Sequence, residues 1–183
     1  MKKRQPEKTE LTKQSLLNSF CRLYSKKPIE KISVLEITRK AGYNRSTFYQ
    51  YFSDIYEMLD YVENDVLDYL EKKNPKEKNA IITQPVIQEV VSLYEEKGVY
   101  LNALLGKYGS NRFHERIKEK IPIDIERLTL SDKNPITPYL IEFHRSTSLS
   151  LFQLWQNRKK DLSIEELADL ILRLYTKGIS SYS

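Results

Sequence analysis

Residues 33–52 read SVLEITRKAGYNRSTFYQYF, and this stretch decides the fold. Ser33 followed three residues later by Glu36 is a capping box, which predicts a helix that begins at Val34. Gly42 then supplies the left-handed backbone conformation that commonly ends a helix. The residues of this short helix that are expected to face inward are Leu35, Ile37 and Ala41.

A second short helix is predicted directly after this turn. Asn44 is a favourable N-cap, so the helix should run over residues 45–52. Phe48 and Phe52 are four residues apart and are expected to pack together against the first helix. Two short helices joined by a glycine-containing turn form the helix-turn-helix unit, whose second helix lies in the major groove of DNA.

The outer surface of the second helix carries unusually few charges. An exposed structural helix usually shows Lys and Glu there. This one shows an arginine, hydroxyls, an amide and aromatic rings, the groups that bond phosphates and base edges. The predicted DNA contacts are Ser33, Thr38, Asn44, Arg45, Ser46, Thr47, Tyr49, Gln50 and Tyr51. On this stretch alone, the alternative is a surface-packed helical hairpin without a ligand.

The motif from Ile37 to Phe52 resembles the DNA-binding signature of the TetR/AcrR family of bacterial transcription regulators. That signature has an apolar residue, a short helix ending in Ala-Gly, and a Ser/Thr-Phe/Leu-Tyr-x-x-Phe recognition helix. The resemblance runs from about Leu16 to Leu59. It implies a homodimeric regulator that binds double-stranded DNA at a pseudo-palindromic operator.

The helix before this motif is also visible in the sequence. Leu16, Leu17, Phe20, Leu23 and Tyr24 recur at helical spacing and predict a first helix over about 12–25. Residues 1–10 are polar and charged and are expected to form a solvated tail; the alternative is an arm that reaches phosphates or the minor groove. The first helix would cover the helical pair and complete a three-helix DNA-binding domain.

A long connecting helix is predicted from Ile55 to about Lys73, capped by Ser53 and Asp54 with Glu57 completing a capping box. In the TetR family this helix joins the DNA-binding head to the body. The family commonly has Lys where this chain has Ile55. A phosphate contact at that position is therefore either absent or made by the helix dipole and backbone amides.

The polar, proline-bearing break at residues 74–79 marks a domain boundary, and the pattern beyond it is helical throughout. The fold class is therefore all-α. The predicted organisation is a helix-turn-helix DNA-binding domain at 1–53, a connecting helix at 54–73, and a helical dimerisation and ligand- or partner-binding domain at 74–183. The helices predicted in the body are 84–97 (ending at Gly98), 100–105, one capped by Ser110 with Phe113, Ile117 and Ile121 inside, 123–130, 136–157 and 164–177.

The last two helices predict a dimer. Ser163 and Glu166 form a capping box at the start of the final helix, which is apolar over more than one face. Such a helix needs two packing partners. A helical hairpin that pairs with its own copy in a four-helix bundle supplies them. The alternative is packing wholly within one chain.

Charge is distributed unevenly along the chain. Residues 1–52 hold twelve Lys/Arg and four Glu, a net +8, whereas the whole chain is +5, so the remainder carries −3. A basic head suits phosphate binding. Composition alone also fits a membrane-surface or RNA-binding head, and the motif favours DNA.

The sequence gives no sign of a membrane or secreted protein. No apolar run approaches the roughly 20 residues of a membrane span, and the basic start is not followed by the apolar region of a secretory signal. The single cysteine, Cys21, suits a reducing compartment. We therefore expect a cytoplasmic protein without membrane contact.

No catalytic or metal-binding motif is present, so we expect neither an enzyme nor a metal site nor a cofactor. The two histidines are far apart, and no glycine-rich phosphate loop occurs. A few polar groups in the body are candidates for orienting an apolar effector. These candidates are Tyr61, Tyr94, Tyr100, Tyr108, His144 and Thr147. The alternative is that they make ordinary packing contacts between helices.

Three functional hypotheses follow. The first is a ligand-responsive repressor. The second is a TetR-like co-activator whose body binds a partner protein, because the layout of the chain also resembles the subgroup that includes the regulator of dihydroxyacetone kinase. The third is an enzyme or a plain scaffold.

Overall fold

The computed structural model describes residues 6–73, 84–120 and 134–178. All regular structure within these residues is helical, which confirms the predicted all-α fold class. The α-helices are α1 (Pro6–Tyr24), α2 (Val34–Ala41), α3 (Arg45–Phe48), α4 (Ile55–Lys73), α5 (Gln84–Leu104), α6 (Asn111–Lys120), α7 (Thr137–Asn157) and α8 (Ile164–Lys177), and a short 3₁₀ turn (Ile29–Lys31) precedes α2. The predicted helix at 123–130, Ile121 and the break at 74–79 lie outside the described residues.

The chain divides into two compact units. The first unit comprises Met1–Val66 and Val99–His114, and the second comprises Leu67–Gly98 and Glu115–Ser183. Helices α4 and α5 contribute residues to both units. The predicted boundaries at residues 53 and 73 stay a prediction. None of the described helices combines the length and the apolar character that crossing a bilayer requires.

The first unit has its core along α1, as the apolar spacing predicted. Leu16, Leu17, Phe20 and Cys21 are fully buried or nearly so, and burial raises the pKa of the Cys21 thiol. Helix α1 begins at Pro6 instead of near residue 12, because proline is well suited to the first turn of a helix. The predicted tail over residues 1–10 is therefore wrong for residues 6–10, and residues 1–5 lie outside the described part.

The predicted end of the helix at Gly98 is wrong. Helix α5 continues through Gly98 to Leu104 instead of stopping at the glycine. A Cβ atom at Gly98 would lie 3.3 Å from the ring of Tyr94, one turn earlier, so the glycine makes room for that ring. The chain does turn after α5, where Gly109 approaches the Leu104 carbonyl too closely for any side chain. Ser110 then caps α6 as predicted, its hydroxyl accepting from the Phe113 amide at 3.1 Å.

The second unit contains a core of Trp155, Ile164 and Leu167. Partly buried apolar residues pack against this core, namely Val91, Tyr94, Phe152 and Ile171. The capping box of Ser163 and Glu166 is present and starts α8 at the predicted residue. Helices α7 and α8 pack against each other, and the Tyr175 hydroxyl donates to the His144 carbonyl at 2.7 Å.

Candidate nucleic-acid interface

Helix α2 is held at both ends by contacts that the sequence pattern specifies. The Ser33 hydroxyl accepts from the Glu36 amide at 3.2 Å, and the Glu36 carboxylate accepts from the Ser33 amide at 3.1 Å. Lys27 donates to the same carboxylate at 2.6 Å. Gly42 ends the helix with φ +77°. Ile37 is buried as predicted, but Leu35 is exposed, so its predicted inward orientation is wrong.

Helix α3 is shorter than predicted and ends at Phe48 instead of Phe52. The chain tightens there, because the Gln50 amide donates to the Thr47 carbonyl and the Tyr51 amide to the Phe48 carbonyl, both three residues back. This turn returns Phe52 to the core, where its ring centroid lies 5.8 Å from that of Phe48. Both phenylalanines are buried, which confirms their predicted role.

The two buried phenylalanines leave one exposed edge, which we call the recognition edge: Asn44, Arg45, Ser46, Tyr49 and Gln50. Thr47 is half-buried beside it. Asn44 occupies the N-cap position of α3, although its side chain makes no capping hydrogen bond. The structure thus brings together five of the nine predicted DNA contacts on one accessible surface.

Three predicted contacts also bond within the protein. The assignment of Thr38 is corrected, and the roles of Tyr51 and Ser33 toward DNA stay a prediction. Thr38 is buried, and its hydroxyl donates to the Val34 carbonyl at 2.9 Å, so it is not available to DNA. The Tyr51 hydroxyl donates to the Thr9 carbonyl at 3.2 Å and so ties the recognition turn to α1. Ser33 is exposed, but its hydroxyl belongs to the cap of α2.

Some exposed residues that sequence reasoning did not single out lie close to the recognition edge along the chain. Arg39 and Lys40 are exposed in the last turn of α2, and Tyr43 and Tyr56 are exposed on either side of α3 in the sequence. Arg39, Lys40 and Tyr43 lie inside the motif at 37–52, and Tyr56 follows it by four residues; this placement was the available signal. Cations and phenolic hydroxyls are both phosphate-binding groups.

The start of α4 is capped by its own carboxylates. The Asp54 carboxylate accepts from the amides of Tyr56 and Glu57, each at 2.8 Å. The Glu57 carboxylate accepts from the amide and the hydroxyl of Ser53, at 2.6 and 2.7 Å. Two carboxylates therefore occupy the amides of Ser53, Tyr56 and Glu57. Of the two alternatives at Ile55, these hydrogen bonds favour an absent phosphate contact.

These caps predict acid sensitivity of the first unit. Hydrogen bonds from Lys27 and the Ser33 amide lower the pKa of Glu36, and those from the amide and hydroxyl of Ser53 lower the pKa of Glu57. A lowered pKa stabilises the fold above the unfolded value of about 4.3, and this stabilisation is lost as the pH falls further. Urea unfolding followed by circular dichroism at pH 7 and pH 3.5 should show this loss.

The matched variants are Glu57→Gln and Glu10→Gln, the latter an exposed glutamate on α1. Glu57→Gln should lower stability at pH 7 and reduce its dependence on pH, because the ionised cap is gone. Glu10→Gln should leave both nearly unchanged. Equal pH dependence in the Glu57 variant and the wild type would contradict this role.

The residues predicted to bind an effector are divided between the two units. Tyr61, Tyr100 and Tyr108 belong to the first unit, and Tyr94, His144 and Thr147 belong to the second. The Tyr61 ring lies under the Lys13 ammonium at 3.7 Å, and the Tyr100 hydroxyl accepts from Gln14 at 2.8 Å. In the second unit, Tyr94 stacks edge-on to Trp155 and the His144 ring lies 4.6 Å from that of Tyr175. Their role toward a ligand stays a prediction.

Comparison with known proteins shows what this part of the chain is similar to. Residues 16–62 match the profile of the family described as "Bacterial regulatory proteins, tetR family". A search of curated proteins found no significant match. A solved structure, a TetR-family transcriptional regulator from Streptomyces coelicolor, is 17% identical, with a TM-score of 0.56 over 93% of this chain and 83% of that chain.

The helix-turn-helix unit is therefore similar to a TetR-family N-terminal domain. The chain as a whole shares the fold of that solved structure. The subgroup of the dihydroxyacetone kinase regulator stays a prediction. Within the described residues, no three His, Cys, Asp or Glu side chains come together as a metal site would require.

Proposed function

We propose that this protein is a sequence-specific transcription regulator that binds a pseudo-palindromic operator as a cytoplasmic homodimer and represses until an effector binds. The observation that carries the proposal is the recognition edge. It presents an arginine, a hydroxyl, a phenol and two amides on one exposed surface, supported by buried Phe48 and Phe52. These groups read base edges and bind phosphates.

The charge distribution supports the same proposal. The net +8 of residues 1–52 attracts a polyanion to the unit that holds the recognition edge. Because the start of α4 carries two carboxylates, the positive side chains near the edge, Arg39, Lys40 and Arg45, are the ones left to bind phosphates or bases. The affinity should therefore fall steeply as salt concentration rises.

Helix α7 supports the dimer. Tyr139, Phe143 and Leu154 are each more than half exposed, and at 100° per residue they lie on one face of the helix. Three large apolar side chains in one row are costly to leave in water and are typical of an interface. We assign this row, with α8 beside it, to the contact between two copies.

The proposed effector would act by favouring one spacing of the two recognition edges over another. A ligand shifts such an equilibrium only through its different affinity for the two states. Helix α4 contributes to both compact units and is the element through which we expect the response to pass.

Arg45→Ala is expected to weaken specific DNA binding by about 10- to 100-fold, because a base contact by arginine contributes roughly 1–3 kcal/mol. A duplex is first selected from a random 30-base-pair pool with the wild-type protein. Its affinity is then measured by fluorescence anisotropy at several salt concentrations. The control is Arg158→Ala, an exposed arginine of the second unit that pairs with Asp161. Equal affinity of the wild type for all duplexes would sink the proposal.

A further inference from the structure

Arg45 is held by a series of contacts that begins in the core. Phe48 is fully buried, and the Tyr49 ring stands edge-on to it, with centroids 5.4 Å apart at 85°. The Tyr49 hydroxyl in turn accepts from Nη2 of Arg45 at 3.5 Å. Arg45 and Tyr49 are four residues apart across the single turn of α3. A ring that packs against the core thus contacts the long, exposed side chain of Arg45.

This contact leaves most of the arginine available. A guanidinium has five N–H donors in a rigid plane, and Tyr49 accepts from only one nitrogen. The remaining donors can form the paired hydrogen bonds to O6 and N7 that distinguish guanine in the major groove. Holding the side chain before binding lowers the entropy that is lost when it docks.

We propose, on the basis of the proposed function above, that Tyr49 is a positioning residue that holds Arg45 for reading a guanine in each operator half-site. Arg45 makes the base contact, and the Tyr49 hydroxyl sets its direction. A hydroxyl that only bound phosphate would raise affinity for every sequence equally. A hydroxyl that positions Arg45 raises the preference for one base at one position.

The test uses the duplex selected with the wild-type protein and all its single-base variants in competition binding. Arg45→Ala first identifies the position at which it removes discrimination, and we expect a guanine there. Tyr49→Phe keeps the ring and removes the hydroxyl. It should lower discrimination about 3- to 10-fold at that position, and leave the other positions and the salt dependence unchanged.

The matched control is Tyr56→Phe. Tyr49 and Tyr56 are both 52% exposed and belong to the same unit, so the two substitutions remove the same group from similar surroundings. Tyr56→Phe removes a phenol of the phosphate-binding type, so it should change the affinity for all duplexes alike and leave discrimination at the guanine unchanged. In an Arg45→Ala background, Tyr49→Phe should have no further effect at that position, because the two residues act as one.

A uniform loss of affinity for all duplexes in Tyr49→Phe would overturn the inference, and so would a base other than guanine at the position that Arg45→Ala relaxes. In both cases the wild type still prefers its selected duplex, and the proposed function stands. A wild type without any preference would instead remove the proposed function. Circular dichroism of each variant verifies that its helices are intact.

Discussion

Leu16→Ala should destabilise the first unit by about 2–5 kcal/mol, because a leucine truncated in a packed core loses its burial and leaves a cavity. Leu16 is fully buried in α1, which lies against α2. A loss of this size is a large fraction of the 5–15 kcal/mol that typically stabilises a domain. Specific DNA binding should fall with it, since the recognition edge is supported by this core.

Helix α1 also offers the matched control. Leu11 is 71% exposed on the same helix, so Leu11→Ala removes the same atoms without leaving a cavity. Its effect should stay within about 0.5 kcal/mol. Urea unfolding is followed by far-ultraviolet circular dichroism for all helices and by the fluorescence of Trp155, the single tryptophan, which lies in the second unit. Similar midpoints for the two leucine variants would show that the core is not where the structure places it.

The sequence predicted the structure best where the interacting residues are close together in the chain. The capping boxes at Ser33 and Ser163 place the starts of α2 and α8 correctly, because both partners of each box lie within four residues. Phe48 and Phe52 were correctly assigned to the core for a similar reason. Burying these two side chains leaves the other residues of the turn exposed, and these exposed residues are the recognition edge.

The sequence predicted less well where the cause lies elsewhere in the chain. Gly98 has the residue type of a helix end, but its role depends on the ring of Tyr94 beside it. Tyr51 has the residue type of a DNA contact, but its hydroxyl meets the Thr9 carbonyl, 42 residues earlier. Thr38 is buried by the residues packed around it. Helical spacing alone did not show whether its side chain faces the core or the DNA.

The start of α4 is another place where the sequence alone could not decide between two structures. Replacement of the usual lysine by Ile55 left two alternatives open in the sequence. Only the placement of Asp54 and Glu57 decides between them, because their carboxylates take the amides that a phosphate would need. Capping residues and anion sites use the same donors.

Leu154→Glu is expected to convert the proposed dimer into a monomer. Leu154 is exposed in the single chain, so the substitution should change the stability of the monomer by no more than about 0.5 kcal/mol. In a symmetric dimer it would bury two unpaired carboxylates, at a cost of roughly 3–5 kcal/mol each. Self-association should weaken by more than about 100-fold, which sedimentation equilibrium measures directly.

Operator binding should weaken together with dimerisation, because two linked recognition edges bind DNA with about 10²- to 10⁴-fold higher affinity than one. The control is Leu162→Glu, the same change at an exposed leucine outside the row on α7. It should remain dimeric and bind the selected duplex normally. A dimeric Leu154→Glu would contradict the assignment of α7 to the interface. A monomeric Leu154→Glu that still bound the selected duplex with wild-type affinity would mean that one recognition edge is sufficient.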